Sequence, residues 1–270
     1  MTTAGGGADA PDFLALVKRL DRGKLKLYIG SAAGVGKTYR MINEAHDLRS
    51  RDTDVVIGFV ETHKRMDTEA QLRDMEIIPR QRIEYRGVTL EEMDVDAVIA
   101  RRPQVSVVDE LAHSNVPGAV PRTRWEDVMQ LLDEGINVIS AVNVQHVESL
   151  NDVVASLLDV TVRETVPDWI VASADQVVNL DISSEDLRQR LREGKIYTPD
   201  KVEAALRNFF TDETLTTLRE LASVIGCTSR SCPRAWGCCC SRRSATGDGT
   251  RIPRRRWCLS VVVLPWRLHS

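Results

Sequence analysis

The chain has 270 residues, 36 of them basic and 39 acidic, with a net charge of −3 and a pI near 6.0, a length that suits one large domain or two small ones. That average hides two unlike segments, because nine arginines, a single acid (Asp248) and all six cysteines lie beyond Gly226, leaving residues 1–226 at −11 and the rest at +8. An acidic, cysteine-free body excludes a disulfide framework and a thiolate metal site and argues against nucleic-acid binding, while the nearest approach to a membrane span, Leu259–Trp266, is far short of the roughly 20 apolar residues required.

Residues 1–11 are small and polar and are expected to be disordered, with Asp12–Leu20 as a short helix. The run Leu25-Lys26-Leu27-Tyr28-Ile29-Gly30 then stops at Ser31-Ala32-Ala33-Gly34-Val35-Gly36-Lys37-Thr38. This predicts a strand, a phosphate-cradling loop and the first turn of an amphipathic helix with Met41, Ile42, Ala45 and Leu48 on its apolar face. Gly34 and Gly36 let the backbone turn its N–H groups toward phosphate oxygens at a helix N-terminus. Lys37 is placed to span the β- and γ-phosphates of a nucleoside triphosphate and Thr38 to put its hydroxyl on Mg²⁺. The strict G-x-x-x-x-G-K-T pattern calls for glycine where Ser31 stands, which stiffens the loop. A chance Gly-Lys-Thr in a turn is the bland alternative, and the strand before and helix after it argue otherwise.

Asp54–Val60 reads as a strand buried on both faces, ending in Glu61-Thr62-His63. Residues 66–76 are predicted helical, Arg82–Tyr85 a short strand, and Leu90–Arg101 a helix closed by Pro103. Val105–Val108 runs into Asp109-Glu110, a strand end suited to holding the Mg²⁺ hydration shell on Asp109 and orienting a water with Glu110. Solvated carboxylates at an ordinary strand end are the alternative. Leu111–Arg124 is a predicted loop from which Arg122 and Arg124 either reach the γ-phosphate or face solvent. Trp125–Glu134 is a helix stopped by Gly135, Asn137–Val142 a strand, and Asn143, Gln145 and His146 follow its end, where an amide can sense the γ-phosphate. Glu148–Leu158 is a helix, Val177–Asp181 a strand, Ser183 the cap of Glu185–Arg192, and Thr198-Pro199 the start of another helix. The alternation predicts an α/β fold with a doubly wound, mostly parallel sheet.

Glu61, His63, Asp109, His113 and His146 lack paired ligand spacing, so no transition-metal centre is expected. No histidine lies in a long helix suited to phosphoacceptance, and autophosphorylation is not expected.

The segments Gly34-Val35-Gly36-Lys37-Thr38-Tyr39, Val60-Glu61-Thr62-His63, Ile83-Glu84-Tyr85-Arg86-Gly87, Val108-Asp109-Glu110-Leu111-Ala112-His113 and Val142-Asn143-Val144-Gln145-His146 resemble the N-terminal cytoplasmic domain of KdpD-type osmosensitive potassium-sensor histidine kinases. The resemblance runs from Lys24 to Ala222. It implies a P-loop NTPase-type domain over 24–222 after a flexible 1–23, binding ATP and Mg²⁺ and regulating a kinase. It implies nucleotide contacts at Gly34, Val35, Gly36, Lys37, Thr38, Tyr39, Asp109, Arg124 and Asn143, with Thr38 and Asp109 on the metal and Glu110 the candidate catalytic residue. Partners expected on this basis are the nucleotide and a histidine-kinase core or a second sensor copy, in the cytoplasm. Ala33 departs from the family's usual proline, and Val120-Pro121-Arg122-Thr123 lacks its usual His and Lys.

Residues 223–270 fall outside the resemblance and, with their Arg, Cys, Trp and Pro, read as a frameshifted, truncating continuation; a basic tail touching lipid headgroups or nucleic acid is the alternative. Three function classes follow: a regulatory ATP switch without the kinase core and with at most slow hydrolysis, a stand-alone ATPase or small-molecule phosphotransferase, and an interaction module with structural nucleotide.

Overall fold

Continuous aliphatic runs make strands that must be covered on both sides, and amphipathic helices supply the cover. The computed structural model describes residues 21–62, 65–158 and 162–228. The expected N-terminal disorder, the Asp12–Leu20 helix, His63 and the segment from 229 onward lie outside the described residues. The first half runs β1 (Leu25–Gly30), α1 (Lys37–Arg49), β2 (Val55–Phe59), α2 (Met66–Leu72), β3 (Glu76–Ile77), β4 (Gln81–Tyr85), β5 (Val88–Glu92), α3 (Val95–Arg101) and β6 (Val105–Val108). The second half runs α4 (Arg124–Asp133), β7 (Asn137–Asn143), α5 (Asn151–Leu158), α6 (Asp168–Ser173), β8 (Gln176–Leu180), α7 (Ser184–Arg192), α8 (Pro199–Asn208) and α9 (Asp212–Thr228).

Six strands form one sheet in the order β3-β2-β6-β7-β1-β8, and every pairing is parallel. Side chains alternate across it. Leu25, Leu27 and Ile29 of β1 join Val128, Leu131 and Leu132 of α4 and Leu218 and Ala222 of α9 in the main core. Lys26 and Tyr28 point the other way, where Glu44 of α1 accepts from both, each at 2.5 Å. One carboxylate thereby satisfies the two polar groups of a buried strand. A second apolar cluster gathers Ala32 and Val35 with Leu187, Leu191, Ile196, Phe210 and Leu215, so the loop after β1 rests on the C-terminal helices.

The chain leaves β1 for β2 on one side and β7 for β8 on the other, although β1 and β7 are neighbours. Where adjacent strands send their connections in opposite directions, the ligand crevice of an open α/β sheet lies outside the carboxyl ends of the strands. Among the described residues, no helix is long and apolar enough to cross a membrane.

Three local expectations are corrected. Helix α2 stops at Leu72, and Glu76–Ile77 instead pairs with the edge of β2, whose free backbone groups capture it. Leu90–Glu92 is not helical: it pairs antiparallel with β4 outside the main sheet. Arg86 and Gly87 both take positive φ, 51° and 79°, as a two-residue hairpin turn requires, and α3 begins only after Asp94 caps it through the Ala97 N–H. Likewise Glu148–Leu150 is a 3₁₀ turn ahead of α5, where Val147 bridges to Val166.

Phe210 is wholly buried beneath the loop after β1. Phe210→Ala should lower unfolding stability by about 3–5 kcal/mol in chemical denaturation.

Candidate functional site

The loop from Gly30 to Thr38 is shaped by three glycines for different reasons. A Cβ on Gly30 would lie 2.4 Å from Val35 Cγ2, and one on Gly34 would lie 2.2 Å from Ile196 Cδ1. Gly34 and Gly36 also sit at φ +90° and +98°, a conformation costly for residues with a side chain. Gly36 caps α1, its carbonyl accepting from the Arg40 N–H at 3.0 Å. Ser31 is buried and, among the described residues, its hydroxyl has no hydrogen-bond partner.

Register places the other residues. Gly30 is level with Asn143 across the β1/β7 pair, and the Lys37 ammonium donates to Asn143 Oδ1 and, at 3.2 Å, to the Ala32 carbonyl. Burial pulls the Lys37 pKa down to about 8 against the attraction of Asp109. From β6, two strands away, Asp109 accepts from Thr38 Oγ1 at 2.7 Å on one oxygen and from the Glu110 N–H at 2.9 Å on the other. Burial and the neighbouring Glu110 charge lift the Asp109 carboxyl above the usual carboxylate range, opposed by the Thr38 bond. Glu110 adopts φ +55°, held there because the flanking Asp109 and Leu111 N–H groups bond Phe59 and Ala141 carbonyls. A cation, a hydroxyl, a buried carboxylate and a strained glutamate thus converge at the crevice, a donor set suited to an anion and a hard divalent cation.

Val35 is buried in the apolar cluster under the loop, and Tyr39 lies half exposed on the first turn of α1. Arg124 takes a different place from the one expected. Its side chain is wholly buried, bonded to Glu92 Oε2 at 2.9 Å, 3.5 Å from Asp127 Oδ2, and stacked 3.8 Å from the centroid of Phe59. Glu92 also accepts from His113 Nε2 and the Val116 N–H, each at 3.1 Å. Although burial opposes its charge, His113 and Arg124 hold the Glu92 carboxyl below its usual range. Arg124 therefore braces the loop after β6 from within. His146 Nδ1–H donates to the Glu164 carbonyl at 2.8 Å, and burial lowers its pKa.

Two basic residues near the site escaped the sequence reading. Arg190 Nη1 donates to the Gly34 carbonyl at 3.0 Å and Arg65 Nη2 to the Ile196 carbonyl at 3.0 Å. Their contacts cross 156 and 131 positions, beyond the reach of any local pattern.

The family model described as "KdpD: Osmosensitive K+ channel His kinase sensor domain" matches residues 21–225. The chain is 52% identical over 201 residues to the sensor protein KdpD of Mycobacterium tuberculosis H37Rv and 51% identical over 201 residues to that of Escherichia coli K12. These matches cover 74% of the chain but 23% and 22% of those proteins. The putative sensor protein KdpD of Synechocystis is 50% identical over 201 residues, 54% of its length. The chain therefore spans about a quarter of the first two relatives and about half of the third.

Arg124→Met should cost about 3–5 kcal/mol in denaturant unfolding, because it strands Glu92 and Asp127 as buried charges. Glu110→Gly, by contrast, should raise stability by about 0.5–1 kcal/mol in the same assay as it releases the left-handed strain.

Proposed function

Because the chain belongs to the KdpD family of osmosensitive K+ channel histidine-kinase sensor domains, we propose that residues 24–222 are a regulatory Mg-ATP-binding domain of the P-loop NTPase type. In this reading it acts in the potassium and osmotic response, on the cytoplasmic side, by reporting nucleotide state to a histidine-kinase core or a second sensor copy. The observation that carries the reading is the 2.7 Å bond between Thr38 and Asp109 beside Lys37 and the two positive-φ glycines. In phosphate-loop sites that hydroxyl and carboxylate attend one Mg²⁺.

The residues fit the group. The Gly34–Lys37 backbone would cradle the phosphates, Lys37 would pair with their terminal charge, and Thr38 and Asp109 would hold the metal. Bound Mg-ATP supplies the negative charge and the divalent ion that reorganise these contacts. Lys37 must then exchange Asn143 Oδ1 for phosphate oxygen, and the freed Asn143 amide can mark the change. Val35 and Tyr39 flank the cradle. Arg124 serves by fixing the loop that carries Asp109. The strained Glu110 favours slow hydrolysis as a second reading, in which its carboxylate orients water.

Calorimetric titration of the full chain with Mg-ATP should give saturable binding that Lys37→Ala weakens ~100-fold, or about 2.7 kcal/mol. Phosphate release on the same sample should be negligible or slow; rapid turnover would transfer the assignment to an ATPase or phosphotransferase. Lys37 near pKa 8 adds a pH signature. The affinity should be level below that value, where the ammonium is already charged, and should fall up to tenfold per unit above it, where binding must take up a proton. Lys37→Arg should remove that fall. Absence of saturable binding at any pH would refute the reading.

A further inference from the structure

The loop between α7 and α8 contacts the phosphate loop and a separate cation at once. Ile196 packs its side chain against Gly34, where an added Cβ would come within 2.2 Å, while its carbonyl accepts from Arg65 Nη2 at 3.0 Å. Six residues earlier, Arg190 holds the Gly34 carbonyl at 3.0 Å. Just beyond, Tyr197 meets Phe210 edge-on at 5.9 Å between centroids, linking the loop to the apolar cluster beneath.

Arg65 itself stands at the N-terminal boundary of α2, after β2, the strand next to β6. Strand order therefore sets its backbone across β6 and β7 from the loop after β1, while its guanidinium reaches the carbonyl of Ile196, the residue packed against Gly34. Its guanidinium feels the charges of Asp109 and Glu110, and its own charge bears on Lys37. A neutral carbonyl is a modest acceptor for guanidinium, whereas a phosphoryl group offers two charged oxygens to its planar fork.

Building on the nucleotide reading above, the geometry points to Arg65 as the residue that distinguishes triphosphate from diphosphate. It rests on the Ile196 carbonyl until a terminal phosphate draws it away, and that exchange releases the Ile196–Tyr197 segment from its tie to α2. Arg65 thus converts the presence of the third phosphoryl group into a loosening of the connection between α7 and α8. The proton inventory does not change, since the guanidinium stays charged in both positions.

The test compares Mg-ATP and Mg-ADP binding by calorimetry on the full chain, for the native sequence, Arg65→Ala and Arg65→Gln. Glutamine retains a donor for the Ile196 carbonyl while removing the charge. Both variants should lose about tenfold or more in Mg-ATP affinity and hold Mg-ADP within about twofold, the retained ADP binding showing that they are folded. Hydrogen–deuterium exchange at Lys195–Thr198 should rise in the native chain with Mg-ATP and not with Mg-ADP. In Arg65→Ala it should already be raised without nucleotide. Equal losses for the two nucleotides in both variants, or an unchanged ATP-to-ADP ratio, would overturn the role of Arg65 and leave the nucleotide site standing. Failure of the native chain to bind either nucleotide would instead remove the site and this inference together.

Discussion

One hydrogen bond, from the Thr38 hydroxyl to the Asp109 carboxylate at 2.7 Å, joins the two halves of the site across 71 positions of sequence. It depends on strand order. Thr38 follows β1 and Asp109 follows β6, and β7 alone lies between them in the sheet. Parallel pairing brings the carboxyl ends of all three strands to the same edge, with Gly30 level with Asn143 and Val108 level with Ser140. Any slip of one residue would turn Asn143 away from Lys37, because side chains alternate faces with a period of two.

Two different kinds of support hold that edge in place. Beneath the loop after β1 the support is apolar, Val35 and Ala32 resting on Ile196, Leu191 and Phe210, and it acts through close packing that leaves no room for side chains at Gly30 and Gly34. Behind the loop after β6 it is ionic, with Arg124 set among Glu92, Asp127 and the face of Phe59. Burying that guanidinium is costly on its own, and the two carboxylates and the aromatic ring offset the cost only in this arrangement. Glu110 is held separately, by backbone bonds of its two neighbours to the flanking strands, which force a left-handed residue at the strand end.

The family model spans residues 21–225 as one continuous stretch. The stretch contains both supports as well as the crevice they frame. The loop after β1 is held from below by C-terminal helices, so whatever shifts Gly34 must also shift Ile196 and Arg190. This mechanical link, which the glycine motif alone does not reveal, ties the loop to those helices.

The sequence by itself determined the α/β class, the parallel core strands and the strand–loop–helix around Gly34–Thr38, because buried strands and amphipathic helices write their periods directly into local residue order. Lys37, Thr38, Asp109 and Asn143 were legible for the same reason: each sits at a strand end or helix start that local pattern reveals. The expected Leu90–Arg101 helix is present from Val95 onward, and its start was misplaced because Val88–Glu92 is a short, mostly exposed hairpin strand with too few residues to fix a period. Tertiary structure alone decided that Arg124 lies buried against Glu92, that Arg65 meets the Ile196 carbonyl and that Arg190 meets the loop after β1. Side-chain charges of this kind pair through space across more than a hundred residues, or through a loop and hairpin without regular period. Their partners are chosen by strand order and packing, which no window of the sequence contains.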